Sequence, residues 1–128
     1  MSAQDPLFDI EFASQMFKAL GDEARIRVLN LIVTYGEMCI SDLELVLDFT
    51  QTKTSRHLGY LKNSGLLKAR RRGQWTFYFL KPSVKEAISK YLEILKKDLS
   101  LKKDLETYNI LYSNRELAAY KMTQRRFY

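Results

Sequence analysis

The chain has 128 residues, a length that suits one domain, and its 46% hydrophobic and 28% charged content is a globular balance that argues against wholesale disorder. One cysteine, Cys39, and one histidine, His57, exclude an intramolecular disulfide, an all-cysteine zinc site within one chain and most histidine-based catalytic constellations. The net charge of +6 points toward a polyanionic partner.

Ile10, Phe12, Ala13, Met16, Phe17 and Leu20 recur at spacings of three and four, which predicts an amphipathic helix ended by Gly21. Asp22 is placed to cap a second helix that is apolar nearly all round, from Ala24 to Val33, and so is expected at the centre of the core; Gly36 stops it. Residues 37–40 read as a link. Ser41 or a neighbour then caps a short helix carrying Leu43, Leu45, Val46 and Leu47.

Asp48, Phe49 and Thr50 form a tight turn, and Thr50 caps a helix over 51–64. On a helical wheel Thr54, Leu58, Leu61 and Gly65 face inward, while Thr52, Lys53, Arg56, Gly59, Tyr60 and Asn63 face outward. Gly65 closes this helix in a left-handed conformation. Residues 66–70 and 75–80 are rich in β-favouring residues and predict a hairpin with Arg71, Arg72, Gly73 and Gln74 at its tip. Pro82 opens a long helix to about residue 107, lined by Val84, Ile88, Tyr91, Leu92, Leu95 and Leu99. Residues 108–128 read as a C-terminal tail, with Asn114 placed to cap a short helix and a frayed end over 125–128.

The charge is unevenly distributed. Residues 1–48 hold three Lys/Arg and nine Asp/Glu; residues 49–85 hold nine Lys/Arg and no acid; residues 86–128 hold nine and six. The acid-free block covers the tight turn, the helix after it and the hairpin. A short helix, a three-residue turn and a helix with a basic outer face make a helix-turn-helix, and the hairpin is its wing. The fold expected is therefore mainly α with a β-hairpin wing, a winged helix-turn-helix over residues 1–107. A winged helix used only for protein contacts leaves the acid-free block unexplained, so double-stranded DNA is the expected partner. A basic RNA-binding or protein-interaction module is the alternative, and a ligand-independent regulator is a second one. No glycine-rich phosphate loop, nucleophile–base pair or carboxylate cluster stands out, so neither an enzyme nor a cofactor is expected. No apolar run approaches the roughly 18 residues of a membrane helix, and the first nine residues carry no leader pattern; a cytoplasmic protein is expected.

Within this pattern, Gln51, Thr52 and Lys53 sit at the helix end that enters the major groove. Tyr60 lies deeper and suits a phosphate contact. Arg71 and Arg72 are the wing arginines assigned to DNA, since alternation prevents Arg70 to Arg72 from all facing it.

Phe17-Lys-Ala-Leu-Gly-Asp-Glu-Ala-Arg25-Ile-Arg-Val-Leu29, Gly36-Glu-Met-Cys39-Ile-Ser-Asp-Leu43, Ser55-Arg-His-Leu58, Leu61-Lys-Asn-Ser-Gly-Leu-Leu67 and Arg72-Gly-Gln-Trp-Thr-Phe-Tyr78 together resemble the ArsR/SmtB family of bacterial winged-helix repressors. The resemblance spans roughly residues 10–100. It implies a homodimer built on the first and last helices, binding an imperfect inverted repeat and released by an inducer that the residues leave unnamed. It places Ser55 and Arg56 at DNA, and Arg56 suits guanine or a phosphate. For His57 it implies a phosphate bond, against which a boundary histidine bonded within the protein stands as the equal alternative. Ile88, Leu92, Leu95 and Leu99 are the expected dimer residues, on a helix too long for one small domain to cover.

The family's arsenic-sensing members carry Glu-Leu-Cys-Val-Cys-Asp-Leu where this chain has Glu37-Met-Cys-Ile-Ser-Asp-Leu43. Ser41 thus replaces a thiol with a poor soft-metal ligand, and residues 83–107 lack the histidine of the family's other common site. No metal site is expected. Cys39 remains either a redox-active thiol or, as composition favours, a plain core residue.

Overall fold

The computed structural model describes residues 9–125; the readings for the first eight residues and for 126–128 lie outside it. Helix α1 (Ile10–Leu20) starts at Asp9, whose carboxylate accepts from the amides of Glu11 and Phe12. Asp22 caps α2 (Glu23–Tyr35) through the Arg25 amide at 3.1 Å. Gly36, at φ 89°, ends α2 in a conformation that disfavours a side chain. Val28, Leu29, Leu31 and Ile32 are all buried, so α2 is the core helix.

The expected link at 37–40 instead contains a strand, β1 (Met38–Cys39), and α3 (Ile40–Leu47) is entered from Cys39 with no side-chain cap, so Ser41 does not cap it. The turn at 48–50 leads to α4 (Gln51–Asn63), capped by Thr50 through the Lys53 amide. Gly65, at φ 82°, closes α4: its amide bonds the Lys62 carbonyl and the Leu66 amide bonds that of Leu61, the paired bonds of a Schellman cap. Strands β2 (Leu67–Arg72) and β3 (Trp75–Leu80) form the hairpin, with Arg72 opposite Trp75, so the turn itself is only Gly73-Gln74. Gly73 supplies its positive φ. β1 pairs with the far edge of β3, giving an antiparallel sheet ordered β1-β3-β2.

The long helix expected over 82–107 is two helices, α5 (Pro82–Ile94) and α6 (Leu99–Ser113). The Leu95 amide turns back to the Leu92 carbonyl, and Asp98 starts the new helix by accepting from the Leu101 amide at 3.0 Å. A polar Lys96-Lys97-Asp98 run is what interrupts the apolar stripe. Helix α6 therefore runs through position 107, and the expected boundary there does not exist. It returns across α2, where Arg27 donates two bonds of 2.9 Å to the buried Asp104 and the rings of Tyr35 and Tyr108 stack at 3.6 Å. Asn114 ends α6 rather than capping the last helix. That helix, α7 (Ala118–Arg125), is held by Asp42 of α3, which accepts from the amides of Ala118 and Ala119 at 2.7 and 2.9 Å. Burial pushes the Asp42 carboxyl above its usual value, and the two amides oppose that shift. Tyr108, Leu117 and Ala118 are buried, so the segment after residue 107 contributes to the core.

Candidate nucleic-acid interface

Helix α4 packs through Thr54, Leu58 and Leu61, all buried, which turns the opposite side outward. Gln51, Thr52, Ser55 and Arg56 are exposed on that side, at the N-terminal half where amides and helix dipole favour phosphate. Lys53 is half-buried, its ammonium 4.1 Å over the Phe49 ring. Tyr60 is exposed at its edge and carries the Arg25 guanidinium 4.0 Å over its face. Arg25 went unmarked in the sequence pattern. It is fixed by bonds to the carbonyls of Ala19 and Lys18, so it closes α1 and adds a positive charge beside Tyr60.

His57 is read from the sequence as either a phosphate contact or a boundary histidine. It is buried on the inner flank of α4, and burial lowers its imidazole below the usual value. Asp22 opposes that shift, while Arg56, Arg25 and Lys53 add to it. Burial thus disfavours the charged ring and favours the boundary reading.

The wing also departs in part from expectation. Arg70 and Arg72 alternate onto one face of β2, and Glu37 pairs with both: Arg70 at 3.0 Å, and Arg72 through its Nη1. Their guanidiniums lie over the rings of Phe79 and Phe77. Arg72 is therefore a tie between hairpin and β1 rather than a free wing cation. Arg71 points to the other face and is exposed, its Nε donating to the Gly73 carbonyl. Glu37 lies outside the acid-free block in sequence but reaches it through the sheet, which charge counting along the chain does not reveal.

Two expected dimer residues, Ile88 and Leu92, are buried in the protomer's own core, because α5 packs on α2 through that stripe. Leu95 and Leu99 are exposed at the α5–α6 break. Beside them, Ile10 and Phe17 of α1 and Tyr91 and Ile94 of α5 are also exposed; Phe17 and Tyr91 meet edge to face at 5.5 Å.

Cys39 is 1% exposed, with its Sγ 3.2 Å from the Ser41 hydroxyl. Burial and nearby Asp42 push the thiol up to about 11. A redox role needs an accessible thiolate, so the geometry favours the plain core reading. The raised folded value stabilises the protein fully below its ordinary value near 9, and that contribution is lost as pH rises toward 11. We expect Cys39 to resist iodoacetamide at pH about 8 in the native state and to react within minutes in urea. Fast native alkylation, followed by mass spectrometry, would contradict the buried-thiol reading.

Among the described residues no helix is long and apolar enough to cross a membrane, and no group of three or more His, Cys, Asp or Glu side chains converges. The family model described as bacterial regulatory protein, arsR family, matches residues 22–69, which span α2 through the first half of β2. The Arsenic resistance transcriptional regulator ArsR2 of Pseudomonas putida is 40% identical over 79 residues, covering 62% of this chain and 69% of that protein. The Arsenical resistance operon repressor of Escherichia coli is 42% identical over 79 residues, covering 62% and 68%. Among solved structures, HlyU from Vibrio cholerae superposes with a TM-score of 0.60 at 28% identity, covering 66% of this chain and 91% of that one.

Proposed function

The chain belongs to the arsR family of bacterial regulatory proteins and is a DNA-binding transcriptional repressor, and on that premise we propose that it works as a homodimer on an inverted-repeat operator in the cytoplasm. The observation that carries this reading is that the acid-free block folds into the helix-turn-helix and its hairpin and leaves Gln51, Thr52, Ser55 and Arg56 of α4 and Arg71 of the hairpin exposed. Gln51, Thr52, Ser55 and Arg56 enter the major groove; Lys53, Tyr60 and Arg71 set register on phosphates. The α1–α5 apolar face supports a two-fold pairing that presents two copies of α4 to successive half-sites.

The relatives named for arsenic resistance do not pass that signal to this chain. The segment around Cys39 offers one buried thiol and a serine, a weak donor set for a soft metalloid. The inducer is therefore read as something other than a thiolate-bound ion.

Fluorescence anisotropy on the upstream region of the chain's own reading frame tests the DNA reading. Tight binding at two protomers per site is expected, with a log–log salt slope of about −5 or steeper, as six or more phosphate contacts require. Equal affinity for a scrambled duplex, or preference for RNA, would overturn it. Ile94→Glu tests the dimer. Ile94 is 78% exposed in the protomer, so its replacement leaves the fold intact. Sedimentation should show a monomer, and operator affinity should fall by about 100-fold or more because the second half-site loses its linked partner. A variant still dimeric would remove the α1–α5 face from the interface.

A further inference from the structure

We propose that Arg25 is a positioning residue for DNA binding, holding the Tyr60 ring of α4 so that its hydroxyl meets a backbone phosphate; this rests on the repressor reading above, which sets Tyr60 on phosphate. The Arg25 guanidinium joins three helices. Its Nε donates to the Ala19 carbonyl at 2.9 Å and its Nη2 to the Lys18 carbonyl at 3.0 Å, both in the last turn of α1. Its Nη1 lies 3.9 Å from Oδ2 of Asp22, the cap of α2. Each edge of the group therefore faces the protein. Its central carbon stands 4.0 Å over the Tyr60 ring of α4, where the negative face of the ring attracts the cation.

Two observations separate holding from direct contact. The Arg25 side chain is only 15% exposed and its donors are turned to α1 and Asp22, so it offers little to a phosphate of its own. Tyr60 is 39% exposed, and among the described residues its hydroxyl has no hydrogen-bond partner. Tyr60 lies four positions after Arg56 and so shares its side of α4. The ring is thus fixed by its face while its hydroxyl is left for a ligand.

The anchor is firm because Ala19 is fully buried, which ties the α1 end of the clamp to the core. An exposed tyrosine that is free to rotate must be ordered when DNA binds, and that ordering weakens affinity roughly two- to tenfold. Arg25 orders the ring beforehand. A lysine does not replace it, since an ammonium is a point charge without the planar fork that reaches two carbonyls and covers a ring at once.

A double-mutant cycle on the full-length chain tests this, with Arg25→Lys, Tyr60→Phe and the pair, read as operator affinity by anisotropy at several salt concentrations. Arg25→Lys keeps the charge and should weaken binding roughly two- to tenfold per half-site with an unchanged salt slope. Tyr60→Phe keeps the ring and removes only the hydroxyl. On that background Arg25→Lys should cost less than about twofold, because no contact is left to position. A merely structural role moves different quantities: it lowers the DNA-competent fraction, counted by stoichiometric titration, and does so equally on both backgrounds. If Arg25→Lys does not fold, Arg25→Gln, whose amide is still a donor, takes its place in the same cycle. Native affinity of Arg25→Lys would overturn the proposal, as charge alone would then suffice. Equal losses on the two backgrounds would also overturn it, and so would unchanged binding by Tyr60→Phe. Absence of operator binding by the native chain would instead sink the repressor reading.

Discussion

Replacing Arg56 with alanine is expected to weaken operator binding by about 1–3 kcal/mol per protomer, roughly ten- to hundredfold for each half-site. Arg56 is exposed on the outward side of α4, in the second turn after the capping Thr50, and among the described residues it makes no hydrogen bond or ion pair. Its removal should leave folding stability within about 0.5 kcal/mol, as for other surface changes away from caps and ion pairs. The discriminating quantity is the ratio of losses on operator and random duplex. A base-reading arginine loses far more on the operator; a phosphate clamp loses equally on both and reduces the salt slope by about one. Arg71→Ala is expected to behave as the clamp. Equal losses for Arg56→Ala would reassign it to the same role.

The contrast between Arg56 and Arg72 shows what a linear sequence can and cannot reveal. Both lie in the acid-free block. Arg56 is legible because helical periodicity sets its direction from Thr54, Leu58 and Leu61, three nearby apolar or small positions that must face the core. Arg72 depends on Glu37, 35 positions away, and on a sheet in which a two-residue strand pairs with β3. Such a short strand has no periodicity to detect. The helix caps Asp22 and Thr50, and the closing Gly65, are local chemistry and were readable for that reason. The α5–α6 break is set by Asp98, the cap of α6, and a lone aspartate after two lysines does not by itself mark a helix start. The apolar stripe was correctly located, but burial against α2 and burial against a second copy leave the same pattern in sequence. Ile88 and Leu92 took the first role, while Ile94, one of the exposed apolar residues, fell outside the inferred stripe.

The folded role of residues 99–125 leads to the largest expected change in stability, that of Arg27→Ala. Asp104 is 3% exposed and receives both Nε and Nη2 of Arg27 at 2.9 Å. Removing the guanidinium leaves a buried carboxylate without its partner, a change that costs about 3–5 kcal/mol for a fully buried pair. The Arg27 side chain is 30% exposed, so water can partly replace it, and a loss of about 2–3 kcal/mol is expected. Urea unfolding followed by far-ultraviolet dichroism measures it. Because α2 lies inside the family-matched segment and α6 outside it, the experiment also asks whether the two fold together. A single transition at lower midpoint with an unchanged denaturant slope means that they do. Two transitions, or a lower slope in the variant, would mean that α6 and α7 can detach while the winged helix stays folded. Replacing both members with apolar residues, Arg27→Met with Asp104→Leu, should recover most of the loss, since the cost lies in stranding one charge. If the double variant is as unstable as Arg27→Ala, packing of α6 on α2 depends on the geometry of the pair itself, and the stacked Tyr35 and Tyr108 rings beside it would be the next contact to vary.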